Sequence, residues 1–526
     1  METKHHDSLA RRALLLATPS LIILAIAWAT RDCTVDDAYI GYQHVRNLIS
    51  GHGLQFDPAE RVEGVTNAGW LLVLAVLSPI AQPPVMAKIA GLLSLLIATI
   101  WCFGFAARFF GSEPSGLLLA LPVALLTATH FEAVYYAVCG MESGLLAAML
   151  CLLVWLVSTG RFTAAGIVGG LAFLVRPECV LIYPLWWALA MKWAPSGHRR
   201  GMLGGLVAWA VLIAAISAAR HAYYGDWVPN TFLAKPTTTG NLIIMVSRTL
   251  TGMNTNLGPP FAGVLAIPVL VLGIRALTKR LGAAGLMTGS VVLVGWLFST
   301  YAVVDWTRNA RYFAPYTPLG FVVLWIGLVE AARSVAAYIG AASRLDETLK
   351  ALAVLLLVSN GLMLSWHLSP TGMQSYPGYV LNSRPLREPC LWMRDNLPAE
   401  ATIATRRIGA VGYLTERRVF DYCFGLNHRA VARLIHESGK QFDDPHDPAL
   451  APLWAQYAPD YLLEDRDIMT RIAADAGGTL ERFEVHGMIY SRMRAFPLGP
   501  DSSWILCRRL KQREPDGPPR PESKST

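Results

Sequence analysis

Long apolar runs alternate with short polar stretches over the first 367 residues, after which the pattern changes. A hydrocarbon core about 30 Å thick takes roughly 20 apolar residues per helix, and on that measure about eleven spans are predicted. They lie near residues 13–30, 84–107, 115–130, 143–159, 163–176, 179–194, 202–219, 259–277, 283–303, 312–330 and 350–367. The first run follows Arg11 and Arg12, and no small-residue cleavage pattern comes after it, so it reads as a retained helix. The stretch from Ala68 to Ala81 is apolar but short and bounded by proline, and is assigned to a helix lying at the membrane surface.

From residue 368 the long apolar runs give way to short β-rich pieces and amphipathic ones. LREPCLWMRDNL and HRAVARLIHESG read as helices, and ATIAT, RRVFDYC and PDYLLED as strands. The predicted fold class is therefore a polytopic α-helical membrane protein with a C-terminal soluble α/β domain. Residues 1–367 form the membrane domain, with a first outer loop at 31–82; residues 368–512 form the α/β domain. The Pro-rich, charged end at 513–526 is expected to be disordered. No internal repeat is evident, which weighs against a transporter or flippase built from two related halves.

Composition agrees with the pattern. The 526 residues are 53% hydrophobic and 16% charged, with a mean hydropathy of +0.39, which is too apolar for a soluble chain of this size. The formal charge of +8 raises the question of nucleic acid. Many of the bases, however, sit in short clusters between apolar runs, as positive-inside retention requires, and nucleic acid is discounted. Arg11 and Arg12, Arg108, Arg161, Lys192 with Arg199 and Arg200, Arg275 with Lys279 and Arg280, and Arg333 with Arg344 and Lys350 fall on one side. Asp36, Asp37, Glu60, Glu63, Glu142, Glu178, Asp226 and Asp305 fall on the other. This places the amino terminus in the cytoplasm and the tail outside, in a multi-pass protein of a bacterial inner membrane.

The eight cysteines show no zinc or redox spacing; Cys390, Cys423 and Cys507 share the tail, where one disulfide or three thiols are both open. His5, His6, His130 and His221 show no ligand spacing, so no histidine metal site is expected.

The first outer loop carries the densest polar chemistry. Thr34 followed by Asp37 has the form of a capping box, which predicts a helix from Val35 to Ser50 that stops at Gly51-His52-Gly53. Ala38, Tyr42, Val45 and Ile49 make its apolar stripe. Asp36, Gln43 and Asn47, with Asp37 and His44 beside them, make a polar face that turns toward a cavity. The simpler reading is that Asp36 and Asp37 are charges favoured by the helix dipole.

DDAYIGYQHVRNLISGHGLQFDPAERVEGVTNAGW resembles the first outer loop of the C-fold (GT-C) glycosyltransferases that use polyprenyl-phosphate sugars, most of all their terminal β-(1→2)-arabinofuranosyltransferase branch. GMESGLL (140–146), LVRPECVLI (174–182), YYGDWVPNTFLAK (223–235) and DWTRNARYFAPYTPL (305–319) follow in order, so the resemblance covers about residues 30 to 320. It implies a membrane glycosyltransferase that takes a sugar, with a pentose such as arabinofuranose favoured, from a lipid-phosphate donor to a cell-envelope glycan, lipid or protein acceptor outside the cytoplasm. Alternatives of the same fold are a lipopolysaccharide-modifying hexose or aminoarabinose transferase and a protein O-glycosyltransferase. In this family an acid of the first outer loop is catalytic, here Asp36 or Asp37, with Asp36 preferred for its place beside Gln43 and Asn47.

Arg46, Arg176, Lys235, Arg308 and Arg311 lie at or near outward loop edges and are expected to meet the donor phosphate. For Arg176 the alternative is an ion pair with Glu178 or Glu142. Glu60, Arg61 and Glu63 are expected to brace the loop among themselves. Asn67, Glu142, Glu178, Tyr223, Tyr224, Asn230 and Asp305 complete the residues expected to bind substrate or brace the loop. Tyr223, Tyr224, Trp227, Trp306 and Tyr312 suit either sugar stacking or an interfacial belt. A divalent cation (Mg2+, Mn2+ or Ca2+) held with the donor phosphate is left open, since carboxylates and oxygen ligands serve both versions of the chemistry. In the tail, Arg406 and Arg407 stand where the family often has acids.

Overall fold

A computed structural model describes residues 2–192, 196–234, 263–301, 310–369, 384–497 and 503–510. The expected site residues Lys235, Asp305 and Arg308 lie outside the described residues, as does Trp306. The chain divides into two compact units, residues 1–229 with 238–384, and residues 230–237 with 385–526.

In the first unit the described part of each predicted apolar run is helical. The order is α1 (Glu2–Ala29), α2 (Asp36–Ile49), α3 (Ala68–Leu77), α4 (Pro83–Phe110), α5 (Pro114–Thr129), α6 (Phe131–Val138), α7 (Ser143–Ser158), α8 (Phe162–Val175), α9 (Ile182–Ala190) and α10 (Ser196–Tyr224). Helices Gly263–Leu281, Ala283–Tyr301, Thr317–Tyr338 and Leu345–Leu368 follow. Among the described residues five helices are long and apolar enough to cross a membrane, and six if α5 and α6 count as one bent span. The remaining predicted spans are shorter helices, such as the 16-residue α7 and the 14-residue α8. Large side chains from several of these helices, among them Tyr183, Trp186, Tyr316 and Trp325, fill the common core.

The α5–α6 break of 57° has a local cause. His130 adopts an extended conformation (φ −80°, ψ 105°), and its Nδ1 accepts the Ala133 N–H at 3.3 Å, so it caps a new helix instead of continuing the old one. The sequence reading ended this span at residue 130 and missed the FEAVYYAV helix beyond it.

Two details of α2 correct the sequence reading. The helix begins at Asp36 with Val35 as N-cap, and no side-chain cap bond is made. Thr34, the expected cap residue, stands one position before this N-cap. The helix is also buried on more than its apolar stripe: Asp36, His44 and Asn47 are buried together with Ala38, Tyr42 and Val45, whereas Ile49 is exposed. The GMES turn explains part of this enclosure. Gly140 has φ +104°, and a Cβ there would lie 2.1 Å from Tyr42 Oη and 2.7 Å from Ala38 Cβ, so a glycine is needed for the turn to lie against α2.

The second unit holds a six-stranded mixed sheet in the order β2-β1-β3-β6-β5-β4. Its strands are β1 (Thr402–Ala404), β2 (Arg418–Phe420), β3 (Tyr461–Asp465), β4 (Phe483–Val485), β5 (Met488–Pro497) and β6 (Ser503–Arg509). β1 pairs in parallel with β2 and β3, while β3, β6, β5 and β4 pair antiparallel in turn. The strands read from sequence are the parallel half, whose apolar runs are buried. β5 escaped notice because it is largely exposed and carries Arg492 and Arg494. Cys390, Cys423 and Cys507 are all thiols, so no disulfide closes this unit.

Candidate active site

The loop that follows α2 is built by the polar side chains around it. Gly51 (φ +82°) and Gly53 (φ +91°) reverse the chain after α2. Asn47 Nδ2 then donates to the carbonyls of Gln55 (2.8 Å) and Phe56 (2.7 Å), and Gln43 Nε2 donates to Phe56 at 3.3 Å. The face expected to turn toward a cavity is thus largely used to fold the loop back on its helix. Arg46 donates to Gln43 Oε1, and it lies nine residues beyond Asp37, about 14 Å along the helix. The structure does not bring Arg46 to the carboxylate pair.

The loop is fastened to the end of α10. Tyr223 Oη accepts the Leu54 N–H at 3.0 Å and Tyr224 Oη donates to the Leu54 carbonyl at 2.6 Å. Arg61 lies over the Tyr223 ring at 4.9 Å. Glu63 pairs with Arg220 at 2.5 Å, both side chains being buried. The acid-base-acid run does brace the loop, but Glu63 finds its partner 157 residues away rather than within the run. Glu60 contributes through its backbone, which bridges to Asp57. Arg220 was not singled out from sequence, although a base inside an apolar run is the signal that should have marked it.

A second assembly gathers the other motifs. Arg311, in the short helix Ala310–Phe313, forms an ion pair with Asp37. Its Nη2 donates to Tyr312 Oη at 3.0 Å. Two guanidinium carbons, of Arg311 and Arg176, each lie 4.9 Å from the Tyr312 ring centroid. Arg176 in turn donates from Nε to Glu178 at 2.9 Å and from Nη1 to Glu142 at 3.2 Å. Asn67 Nδ2 donates to the other Glu142 oxygen at 2.7 Å, and Tyr316 Oη reaches Glu178 at 3.4 Å.

Arg176, Glu142 and Glu178 are all nine-tenths buried or more. Of the two sequence readings for Arg176, the geometry favours the ion pair, because two of its nitrogens are committed to carboxylates. Asp37, Asn67, Glu142, Arg176, Glu178, Arg311 and Tyr312 therefore share one neighbourhood, and buried Asp36 precedes Asp37 in the first turn of α2. Asn230, by contrast, belongs to the second unit, where its Nδ2 donates to the carbonyls of Gly425 (2.7 Å) and Leu426 (3.0 Å). Within that unit Arg406 donates to Glu464, so it too is held by a partner inside its own fold.

Sequence reasoning also missed a buried trio, His367 and His130 flanking Glu132 at 3.4 and 3.8 Å. The residues are scattered in the chain and have no spacing to betray them. Among the described residues no group of three or more His, Cys, Asp or Glu side chains is disposed to hold a metal ion.

His44 makes a testable contribution to stability. It is fully buried in α2, with Nδ1 2.8 Å from the Ile40 carbonyl, and burial pushes its pKa down from 6.5 to about 4. The unfolded chain takes up this proton near pH 6.5 and the folded chain only near pH 4, so stability is complete above the first value and falls toward the second. The loss amounts to about 1.4 kcal/mol per pH unit, or roughly 3 kcal/mol by pH 4. Thermal unfolding of the detergent-solubilised chain between pH 7.5 and 4 should show this slope. His44→Gln should flatten it, and an unchanged slope in that variant would assign the acid sensitivity elsewhere.

Known proteins resemble this chain over parts of its length or in its fold. Residues 382–511 match a family described as a domain of unknown function, DUF8728. A terminal β-(1→2)-arabinofuranosyltransferase of Mycobacterium tuberculosis is 31% identical over 246 residues, which is 43% of this chain and 39% of that protein. A protein of the same name from Corynebacterium glutamicum is 30% identical over 235 residues, 40% of this chain and 34% of that one. The matched region thus spans well under half of either relative's length. Among solved structures, ArnT from Cupriavidus metallidurans bound to undecaprenyl phosphate superposes with a TM-score of 0.52 at 15% identity, covering 94% of this chain and 97% of ArnT. ArnT in the apo state matches equally well. The chain accordingly has the fold of ArnT, and over somewhat less than half its length it is similar to the terminal β-(1→2)-arabinofuranosyltransferases.

Proposed function

We propose that this protein is a membrane glycosyltransferase that moves a sugar, a pentose such as arabinofuranose, from a polyprenyl-phosphate donor to a hydroxyl of a cell-envelope glycan, lipid or protein. The observation that carries the reading is the pairing of Asp37 with Arg311 beside buried Asp36, in the assembly that also holds Glu142, Arg176 and Glu178. The acceptor hydroxyl attacks the anomeric carbon, the bond from that carbon to the phosphate oxygen breaks, and the lipid phosphate leaves with the electron pair. Asp36 takes the acceptor proton. Arg311, held by Asp37 and Tyr312, stabilises the charge that develops on the departing phosphate. Arg176 acts through Tyr312 as a positioning residue. ArnT was solved with undecaprenyl phosphate, and the two curated relatives are named arabinofuranosyltransferases, which supports a donor of this class.

The test is transfer by the purified full chain, offered synthetic polyprenyl-phosphate arabinofuranose, aminoarabinose and hexose in parallel with envelope acceptors. Preferred release of polyprenyl phosphate from the pentose donor is expected. Turnover of the aminoarabinose or hexose donor alone would move the protein to another substrate within the same chemistry, and no turnover of any donor would count against the enzyme reading.

The reading also requires this end of the unit to face away from the cytoplasm. Reporter fusions after Gly225 should read outside and fusions after Ala331 inside, as the distribution of basic residues demands. The reverse result would place the carboxylates where nucleotide sugars are available and remove the argument for a lipid-phosphate donor.

A further inference from the structure

A second site lies at the other end of the helical unit. A cavity of about 710 Å³ opens between the α7–α8 turn, the facing parts of α9 and α10, and the turn joining Gly263–Leu281 to Ala283–Tyr301. That size falls within the roughly 300–1,000 Å³ typical of ligand pockets. α7 leads to it from Glu142 over 16 residues and α8 leads away to Arg176 over 14, so about 21–24 Å of helix separates it from the carboxylate assembly.

Its wall is mainly apolar, with Val157, Phe162, Met202, Leu281 and Leu286, and its polar lining is neutral or imidazole: Ser158, Thr159, Thr278 and His198. The turns that flank it are basic. Arg161 sits between the lining residues Gly160 and Phe162, Arg199 and Arg200 follow His198, and Lys279 and Arg280 sit between Thr278 and Leu281; the Arg161 and Arg280 guanidinium groups lie over Trp155 and Phe109, which leaves Arg199, Arg200 and Lys279 as the candidates for a ligand. All five are exposed, and segments 156–164, 196–204 and 276–288 contain no Asp or Glu. Positive-inside retention accounts for the sign of these charges. It does not say what the three basic turns flank, which here is one apolar cavity.

We infer that this cavity is a binding site for an anionic glycerophospholipid of the surrounding membrane, with an acyl chain among Phe162, Met202 and Leu286 and the phosphate held by Arg199, Arg200 and Lys279. An apolar slot flanked by basic turns matches a ligand that joins a hydrocarbon chain to a phosphate, and basic pockets between membrane helices take such head groups. A neutral phospholipid would fill the slot and gain nothing from the basic turns, whereas a soluble phosphate would gain nothing from the slot.

The experiment uses the full chain in detergent micelles, titrated with phosphatidylglycerol, phosphatidylcholine or glycerol 3-phosphate and read by native mass spectrometry and thermal unfolding. Phosphatidylglycerol should be retained most strongly and should raise the unfolding temperature most, phosphatidylcholine should be retained more weakly, and glycerol 3-phosphate should do neither. Arg199→Gln/Arg200→Gln/Lys279→Gln should weaken phosphatidylglycerol retention by roughly fivefold for each charge removed. Leu286→Trp, which occupies the slot and leaves the basic turns, should abolish retention. Equal retention of the two phospholipids, an unchanged preference in the triple variant, or displacement by glycerol 3-phosphate would each overturn the inference.

Discussion

Asp36→Asn is expected to lower sugar transfer by roughly 100-fold or more while expression, unfolding temperature and donor binding stay near those of the parent chain. The substitution keeps the size of the side chain and some of its hydrogen bonding, and removes the capacity to accept the acceptor's proton. Asp36 is buried in the first turn of α2, so the change is made at a site shielded from bulk water. Asp37→Asn tests the division of labour between neighbours. Asp37 is the ion-pair partner of Arg311, so its loss should act first through the donor, raising the apparent KM for polyprenyl-phosphate sugar more than it lowers kcat. If both carboxylates instead hold a divalent cation, either change should abolish turnover and added cation should partly restore it. Near-normal turnover in both variants would leave the pair as charges at a helix start, and the enzyme reading would rest on the remaining motifs.

The second large effect is on stability. Arg176 lies between Glu142 and Glu178, and all three are buried, so Arg176→Met strands two carboxylates in an apolar surrounding. Breaking a buried pair by removing one partner costs about 3–5 kcal/mol. A large fall in unfolding temperature is expected, together with weaker donor binding as Tyr312 and Arg311 lose their support. Adding Glu142→Gln and Glu178→Gln to Arg176→Met should recover much of the stability, because the stranded charges are then gone. Arg176→Lys should rescue in part, since a single ammonium does not reproduce the two-sided geometry of guanidinium. An Arg176→Met chain of undiminished stability but much weaker donor affinity would show instead that this arginine meets the phosphate directly.

The two arginines show where the sequence was legible and where it stopped. Arg176 could be marked from the chain alone, because a base closing an apolar run and followed by Pro177-Glu178 is costly unless paired, and the acids at 142 and 178 were its nearest candidates. Arg220 carries a similar signal, yet its partner Glu63 lies in a loop far away in sequence, and only folding brings them together. Tyr312 appeared as one aromatic among several; its place between two guanidinium groups depends on three segments meeting.

Much of the rest followed one rule, that local pattern survives where the environment is uniform. Apolar runs in a bilayer have to satisfy their backbone groups internally, so helices could be predicted there, and the described part of each run is helical. Buried parallel strands such as β3 read as apolar runs for a related reason. Helix count by length, the α5–α6 break and the exposed strand β5 were less legible, because neighbouring segments shield short helices and a histidine cap redirects the chain. The sequence by itself thus determined the membrane class, the two-part organisation and the stretch that carries Asp36 and Asp37. Tertiary structure alone decided that Asp37 meets Arg311, that Gln43 and Asn47 fold the loop, and that Asn230 belongs to the second unit. Those partners are set by contacts between distant segments, where burial makes an unpaired charge or amide costly enough to select one arrangement.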